Sequence, residues 1–535
     1  MKQLARRLSL LCVIACAVFS QTKPAAPPRQ PKLVLMIVVD QFRYDYLTRF
    51  RSEYTGGLAR LLDKGAVFTN AYYEHYPTVT AVGHSTVLTG APPAISGIVG
   101  NEWLDRSAGT MVTSVSDPSV ETLGAPARLG SSPHRLLVST LSDEIKMADR
   151  SPNKSIGISL KDRSAILPVG RMADAAFWFD NDTGNFVSST YYMKELPAWM
   201  AEFNRSRFAD KFVGAEWTSS SRFQRSSGTS PQPVFARMPS SPGKAYWEAV
   251  YRSPFGNDVL AEAAMRVIDS EKLGASGGTD LLSVSFSSND AIGHFVGPDA
   301  PEVHDMCLKT DRVLEMLLQF VDKKVGLANT LVVLTADHGV APSPEANQKR
   351  HMAGGRLSSA TIMQAVTDAL NAKYGVEKWI VGREEVTPYL DRNLIRKKGL
   401  DLAAVQATAA EAVRPLPHIA RVYTSEDVRL GRLPEDYITR RIRNGFYDGR
   451  GADLVVLAEP YYLFDGKAGT SHGSPYNYDS HVPVIFLGPW VRAGQYHASI
   501  TVNDIAPTLA TMLAVETPSG SIGRVLNEML PARLN

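Results

Sequence analysis

Lys32-Leu-Val-Leu-Met-Ile-Val-Val39 is an apolar run that stops on Asp40. A strand with one wet face would alternate polar and apolar residues. An unbroken run instead predicts a strand buried on both faces of a parallel sheet. Four further stretches share the pattern: Asp280-Leu-Leu-Ser-Val-Ser-Phe286, Thr330-Leu-Val-Val-Leu-Thr335, Asp453-Leu-Val-Val-Leu457 and Val482-Pro-Val-Ile-Phe-Leu487. Helical spacing between them predicts helices over 258–270, 302–323 and 358–372. Such alternation predicts an α/β fold with a doubly wound, mostly parallel central sheet and helices on both faces. Two intervals fit it poorly. Residues 105–250 are rich in Ser, Arg, Trp and Pro, with short strand-like pieces at Ser155-Ile-Gly-Ile-Ser159 and Ala176-Phe-Trp-Phe179. Residues 345–450 carry helices and a polar surface. Both read as inserted cap regions over one sheet edge, within a catalytic domain spanning 32–535.

The chain has 535 residues, 44% of them hydrophobic, enough for a large core. Lys2, Arg6 and Arg7 precede an apolar segment from Leu8 to Phe19 that is too short to span a bilayer. A signal peptide over 1–20 is the expectation, with a cut before Gln21 and export to the periplasm or medium. Val13-Ile-Ala-Cys16 offers a looser alternative, a lipid anchor at Cys16. Residues 21–31, with Pro24, Pro27, Pro28 and Pro31, form an extended linker. Without residues 1–20 the chain holds 54 basic and 54 acidic side chains, so no overall basic field favours nucleic acid. Cys307 is then the remaining cysteine, in an apolar helical pattern that predicts a buried spacer and no internal disulfide.

The chemistry lies at the ends of the predicted strands. Asp40 follows the first, and Asp290 and His294, four residues apart, follow the second. Asp337-His338 follows the third. His472 and His481 precede the last, in Gly469-Thr-Ser-His-Gly-Ser-Pro-Tyr-Asn-Tyr-Asp-Ser-His481. Carboxylates and imidazoles at the carboxyl ends of several strands predict a metal site. Mixed nitrogen and oxygen ligands suit zinc, with manganese or iron as alternatives. Pro77-Thr-Val-Thr-Ala-Val-Gly-His84 adds two hydroxyls, Thr78 and Thr80, ahead of a helix start at Ser85-Thr-Val-Leu-Thr-Gly90. Unpaired N–H groups at a helix N-terminus favour an anion such as phosphate. Asn101 follows the glycine-rich Ile95-Ser-Gly-Ile-Val-Gly100, where an amide could reach a phosphate oxygen. Lys161 and Arg163, two apart on a predicted extended segment, can face one pocket. His472 precedes a glycine in a polar loop, whereas His481 leads into an apolar strand and reads as a packing residue.

In this order, Asp40, Thr80 in Pro-Thr-Val-Thr-Ala-Val-Gly-His, Asp290 with His294, Asp337-His338 and His472-Gly473 resemble the alkaline phosphatase superfamily. The resemblance implies two Zn2+ per chain. Asp40, Asp337 and His338 would bind one ion, while Asp290, His294 and His472 would bind the other. Thr80 would be the nucleophile beside the metals and would carry a phosphothreonine intermediate, with Thr78 supporting it from behind. Val82 departs from the pattern, since many relatives have proline there. Within the superfamily, Asn101, Lys161 and Arg163 resemble the trio of the PafA-type phosphate-irrepressible alkaline phosphatases, which implies small phosphate monoesters as substrates. A monoester dianion presents one more charged oxygen than a diester, and a basic pair favours it. The alternative enzyme is a phosphodiesterase or nucleotide pyrophosphatase, which shares the metals, the Thr and the Asn but lacks the basic pair. A sulfatase needs a modifiable cysteine or serine where this chain has Thr80. An exported binding protein with a dead site would have lost ligands, and none is missing.

Overall fold

A computed structural model describes residues 30–148, 152–221 and 234–531. The expected signal peptide, Cys12, Cys16 and all but the last two linker residues lie outside the described residues. Eleven strands form the central sheet. In chain order they are β1 (Leu33–Val39), β2 (Ala66–Phe68), β3 (Ser116–Leu123), β4 (Leu129–Ser131), β5 (Ser155–Ser159), β6 (Ala175–Asp180), β7 (Asn185–Ser189), β8 (Asp280–Phe286), β9 (Thr330–Thr335), β10 (Val484–Leu487) and β11 (Gly494–Tyr496). Across the sheet the order is β11-β2-β10-β9-β1-β8-β5-β6-β7-β3-β4. The middle, β9-β1-β8-β5-β6, is parallel throughout. Antiparallel β10 flanks it on one side and antiparallel β7 on the other. Every residue of β1, β8 and β9 is buried, so both faces of the middle are covered, as their unbroken apolar runs require.

The helices that place the site are α1 (Thr80–Thr89), α2 (Asp162–Ile166), α3 (Pro254–Ser270), α4 (Ser288–Val296), α5 (Pro301–Lys324), α6 (Ser359–Tyr374), α7 (Leu402–Val413) and α8 (Ile505–Leu513). Pro254 and Pro301 open α3 and α5 at positions where a missing N–H costs nothing. Helices α3 and α5 pack on each other, and α1 packs against α2 and α8. Cys307, on α5, is a buried free thiol, as expected.

Two sequence expectations need correction. The interval 105–250 was expected to cap the sheet, yet it contributes five of the strands, β3 to β7. The Ser155 and Ala176 pieces are short because these strands are short, and both pair in parallel within the sheet. Conversely, the apolar run at Asp453 is no central strand. Leu454–Ala458 pairs antiparallel with Ile419–Thr424 in a separate two-stranded sheet. That sheet packs with α6 and α7 around Val366, Leu370, Val405, Val413, Leu454 and Val456, a hydrophobic core separate from that of the main sheet. The run is apolar because this cap has an interior of its own.

Candidate active site

The register sets Val38 of β1 beside Ser285 of β8 and Thr335 of β9, so three strand ends open at one level. Asp40 leaves β1 there, and Asp337 and His338 leave β9. Asp290 and His294 lie on α4, where a four-residue spacing puts them on one face. His472 arrives on the loop before β10. Ligand atoms of Asp40, Asp337 and His338 all fall within 4.8 Å of one another, and so do those of Asp290, His338 and His472. His294 Nε2 lies 3.1 Å from Asp290 Oδ1, which joins it to the second group. The ring of His338 stacks on that of His472 with centroids 3.6 Å apart, so His338 stands between the two groups.

Each of the three imidazoles is fixed in the same way. Nδ1 lies 2.9 Å from the Gly339 carbonyl in His338, 2.9 Å from Thr470 in His294 and 2.8 Å from Thr78 in His472. A carbonyl only accepts, so each Nδ1 carries the proton and each Nε2 keeps its lone pair for a ligand. Buried Asp40 Oδ1 and Asp337 Oδ2 accept no hydrogen bond, although His84 Nδ1 stands 3.2 Å from the latter. Orphaned carboxylate oxygens beside imidazole lone pairs are a donor set that fits divalent cations and little else. By contrast, His481 is sandwiched between Tyr44 and Tyr72, with Nε2 2.9 Å from the Thr69 carbonyl. It packs, as its sequence position suggested.

The charges hold one another in place. Burial, then the charges of Asp290 and Asp337, push the Asp40 carboxyl well above its ordinary range. Burial would raise Asp290 too, but Lys161 and His294 outweigh it and hold that carboxyl well below. Burial, followed by the charges of His338 and His294, keeps His472 neutral. Lys161 Nζ reaches Asp40 Oδ2 at 2.6 Å and Asp290 Oδ2 at 2.7 Å, so one cation spans both groups.

Thr80 is the first residue of α1, five residues ahead of the start expected at Ser85. Its Oγ1 lies 3.5 Å from His338 Nε2, at the mouth of both groups, and the side chain is nearly buried. Gly83 permits this approach, because a Cβ there would fall 2.1 Å from the Asp337 carbonyl oxygen. His84 then locks the helix: Nδ1 donates to the Thr80 carbonyl at 2.8 Å, and Nε2 lies 2.7 Å from Ser285 Oγ at the end of β8. Thr78 supports from behind, its hydroxyl donating to the Ser474 carbonyl at 2.8 Å. Asn101 accepts from the Ala81 N–H at 2.9 Å, which fixes its amide beside Thr80. Lys161 and Arg163 border one cavity of about 470 Å³, which Thr80, Asn101 and the six candidate ligands do not line. They do not share an extended segment as expected. Lys161 is extended, but Arg163 already belongs to α2. The buried Nε of Arg163 has no hydrogen-bond partner.

One residue of the centre carried no sequence signal. Gln41 sits at φ 62°, in the left-handed region, immediately after Asp40. Its backbone N–H donates to Asp337 Oδ1 at 3.1 Å and its side-chain amide to Asp290 Oδ1 at 2.6 Å, so it joins the two groups. Gly293 makes room for it, since a Cβ there would meet Gln41 Oε1 at 1.8 Å.

A profile of the type I phosphodiesterase / nucleotide pyrophosphatase family matches residues 34–481. The chain is 34% identical over 536 residues to alkaline phosphatase PafA of Elizabethkingia meningoseptica, across 97% of this chain and 98% of that one. It is 33% identical to alkaline phosphatase PhoV of Synechococcus elongatus, across 98% of this chain and 100% of that one. The crystal structure of wild-type alkaline phosphatase PafA superposes with a TM-score of 0.88 at 33% identity, covering 95% of this chain and 100% of that one.

Proposed function

Because the chain belongs to the type I phosphodiesterase / nucleotide pyrophosphatase family, a family of hydrolytic enzymes, we propose that it is an exported, metal-dependent phosphomonoesterase, an alkaline phosphatase that releases inorganic phosphate. Asp40, Asp337 and His338 would hold one zinc ion and Asp290, His294 and His472 the other. Bound there, the metals would supply Lewis-acid charge that favours the alkoxide form of the Thr80 hydroxyl and steadies the departing oxygen. The protein does the positioning. Helix α1 presents Thr80 at its positive end, where a phosphate is also welcome. Thr80 Oγ1 forms a bond to phosphorus as the bond to the substrate alcohol breaks, which leaves a phosphothreonine. Water then attacks phosphorus, freeing phosphate and restoring Thr80. Asn101, Lys161 and Arg163 hold the remaining oxygens through the charge-assisted bonds that phosphoryl transfer depends on. Export rests on residues 1–20. Among the described residues no helix is long and apolar enough to cross a membrane.

The observation that carries the monoester reading is Lys161, whose ammonium is tied to both ligand groups, with Arg163 two residues further on. Its test is hydrolysis of an aryl phosphate and its methyl diester, with Thr80→Ala as the inactive control and a chelator abolishing turnover. A charge-assisted bond contributes about 1.5–3 kcal/mol, so losing either Lys161 or Arg163 should cost about one to two powers of ten in monoester kcat/KM. Diester turnover should fall much less. Parallel losses on both substrates would mean that the pair serves structure or general anion binding, and the monoester reading would lose its main support.

A further inference from the structure

A phosphate monoester has an alcohol portion as well as a phosphate, and the two need different surroundings. The cavity at Lys161 and Arg163 is one neighbour of the site. A second cavity, of about 350 Å³, opens along Ser471-His472-Gly473-Ser474, the loop that brings His472 to the metals. The cap supplies its opposite wall, including Glu385, Tyr462, Phe464 and Asp465. Tyr476 and Tyr478 also line it, and their hydroxyls are engaged with backbone. Tyr476 donates to the Ala458 carbonyl at 2.8 Å, while Tyr478 accepts from the Tyr461 N–H at 3.2 Å. What the tyrosines offer the cavity is therefore ring surface.

The net charge on this wall is negative: the carboxylates of Glu102, Glu385, Asp465 and Asp479 stand against one arginine, Arg383, whose guanidinium donates to Ser359 Oγ and to the Glu385 carbonyl. Glu102 and Glu385 form no ion pair among the described residues, and Asp465 has one weak contact, 3.7 Å from Arg383. Asp479 is buried, with one carboxylate oxygen accepting from the Ser474 N–H and hydroxyl at 2.8 and 2.6 Å. Its other oxygen, Oδ1, is buried without a partner. Burial pushes the Glu385 and Asp479 carboxyls up to about 7, so the wall gains its full negative charge above that pH.

We propose that this second cavity is the subsite for the alcohol portion of the substrate and that it selects alcohols bearing an ammonium group. The proposal rests on the phosphomonoesterase reading above. Aromatic faces beside uncompensated carboxylates attract a cation by ring quadrupole and by charge. An anionic alcohol portion, such as a nucleotide, meets repulsion on the same wall.

The test compares phosphocholine with 3,3-dimethylbutyl phosphate, in which carbon replaces the charged nitrogen and the shape is kept. The zinc-loaded enzyme should favour phosphocholine about tenfold in kcat/KM at low salt, equivalent to about 1.4 kcal/mol. Salt should shrink the ratio. In Glu102→Gln/Glu385→Gln it should fall toward one. Calorimetric binding of choline against 3,3-dimethylbutanol reads the same preference without turnover. Equal treatment of charged and neutral forms in both assays would overturn the subsite, as would a preference that survives the double substitution. If choline binds in preference but neither phosphate is hydrolysed, the subsite stands and the phosphomonoesterase reading falls.

Discussion

Gln41 shows how much of a candidate metal centre can rest on a side chain outside the ligand set. Its two hydrogen bonds set one oxygen of Asp337, from the loop after β9, and one of Asp290, from helix α4. Groups that orient ligands in this way typically change metal affinity by about 10–100-fold when removed. Gln41→Ala should therefore weaken zinc binding by at least about tenfold in chelator competition. An unchanged affinity would mean the contacts follow the ligands without holding them. Nothing in the sequence marks this role, because a left-handed φ at a glutamine leaves no compositional trace. The clustering of the candidate ligands was legible, since their residue types and their places after apolar runs have a chemical reason. The choice of His472 over His481 was legible for a related reason. A glycine-flanked imidazole in a polar loop can move to an ion, and one leading into a strand is held by packing, as the stack between Tyr44 and Tyr72 illustrates.

Among the elements, α1 decides where Thr80 stands. The helix begins at Thr80, although Thr-Ala-Val-Gly reads poorly as a helix start because two of its residues are β-branched and one is glycine. It is buried along its whole length, so no amphipathic stripe announces it. Contact with the Asp337 backbone selects the helix where local propensity does not. Gly83→Ala would drive a methyl group into the Asp337 carbonyl and move the helix off its bed. Overpacking of this kind costs about 1–3 kcal/mol. Urea unfolding should show that loss, and zinc affinity should drop with it because Asp337 must shift. A variant as stable and as tightly metallated as the parent would show that the bed can yield. The cap teaches the converse lesson. Its strand Leu454–Ala458 has the same apolar signature as a central strand, since burial in a small core and burial in a large one demand the same residues.

For the whole molecule, the centre is a crosslink among distant segments: residues 40, 80, 290, 337 and 472 meet at one end of the sheet. A metal that binds the folded chain and not the unfolded one adds stability by mass action, about 2.7 kcal/mol when free metal stands at a hundred times its dissociation constant. Removing metal with a chelator should lower Tm, and zinc should restore it. A Tm indifferent to both would mean that the orphaned oxygens of Asp40 and Asp337 are not metal ligands. The sheet order carries one more consequence. Strand β10, from residues 484–487, lies between β9 and β2, so β2 cannot reach the parallel strands until nearly the whole chain is available. A polypeptide threaded through a translocation pore from its N-terminus would present every early ligand before the strand that closes the sheet beside His472 emerges. In the proposed exported enzyme, assembly would thereby be tied to completion of transit, and the choice of ion would fall to whichever metals are present on the far side.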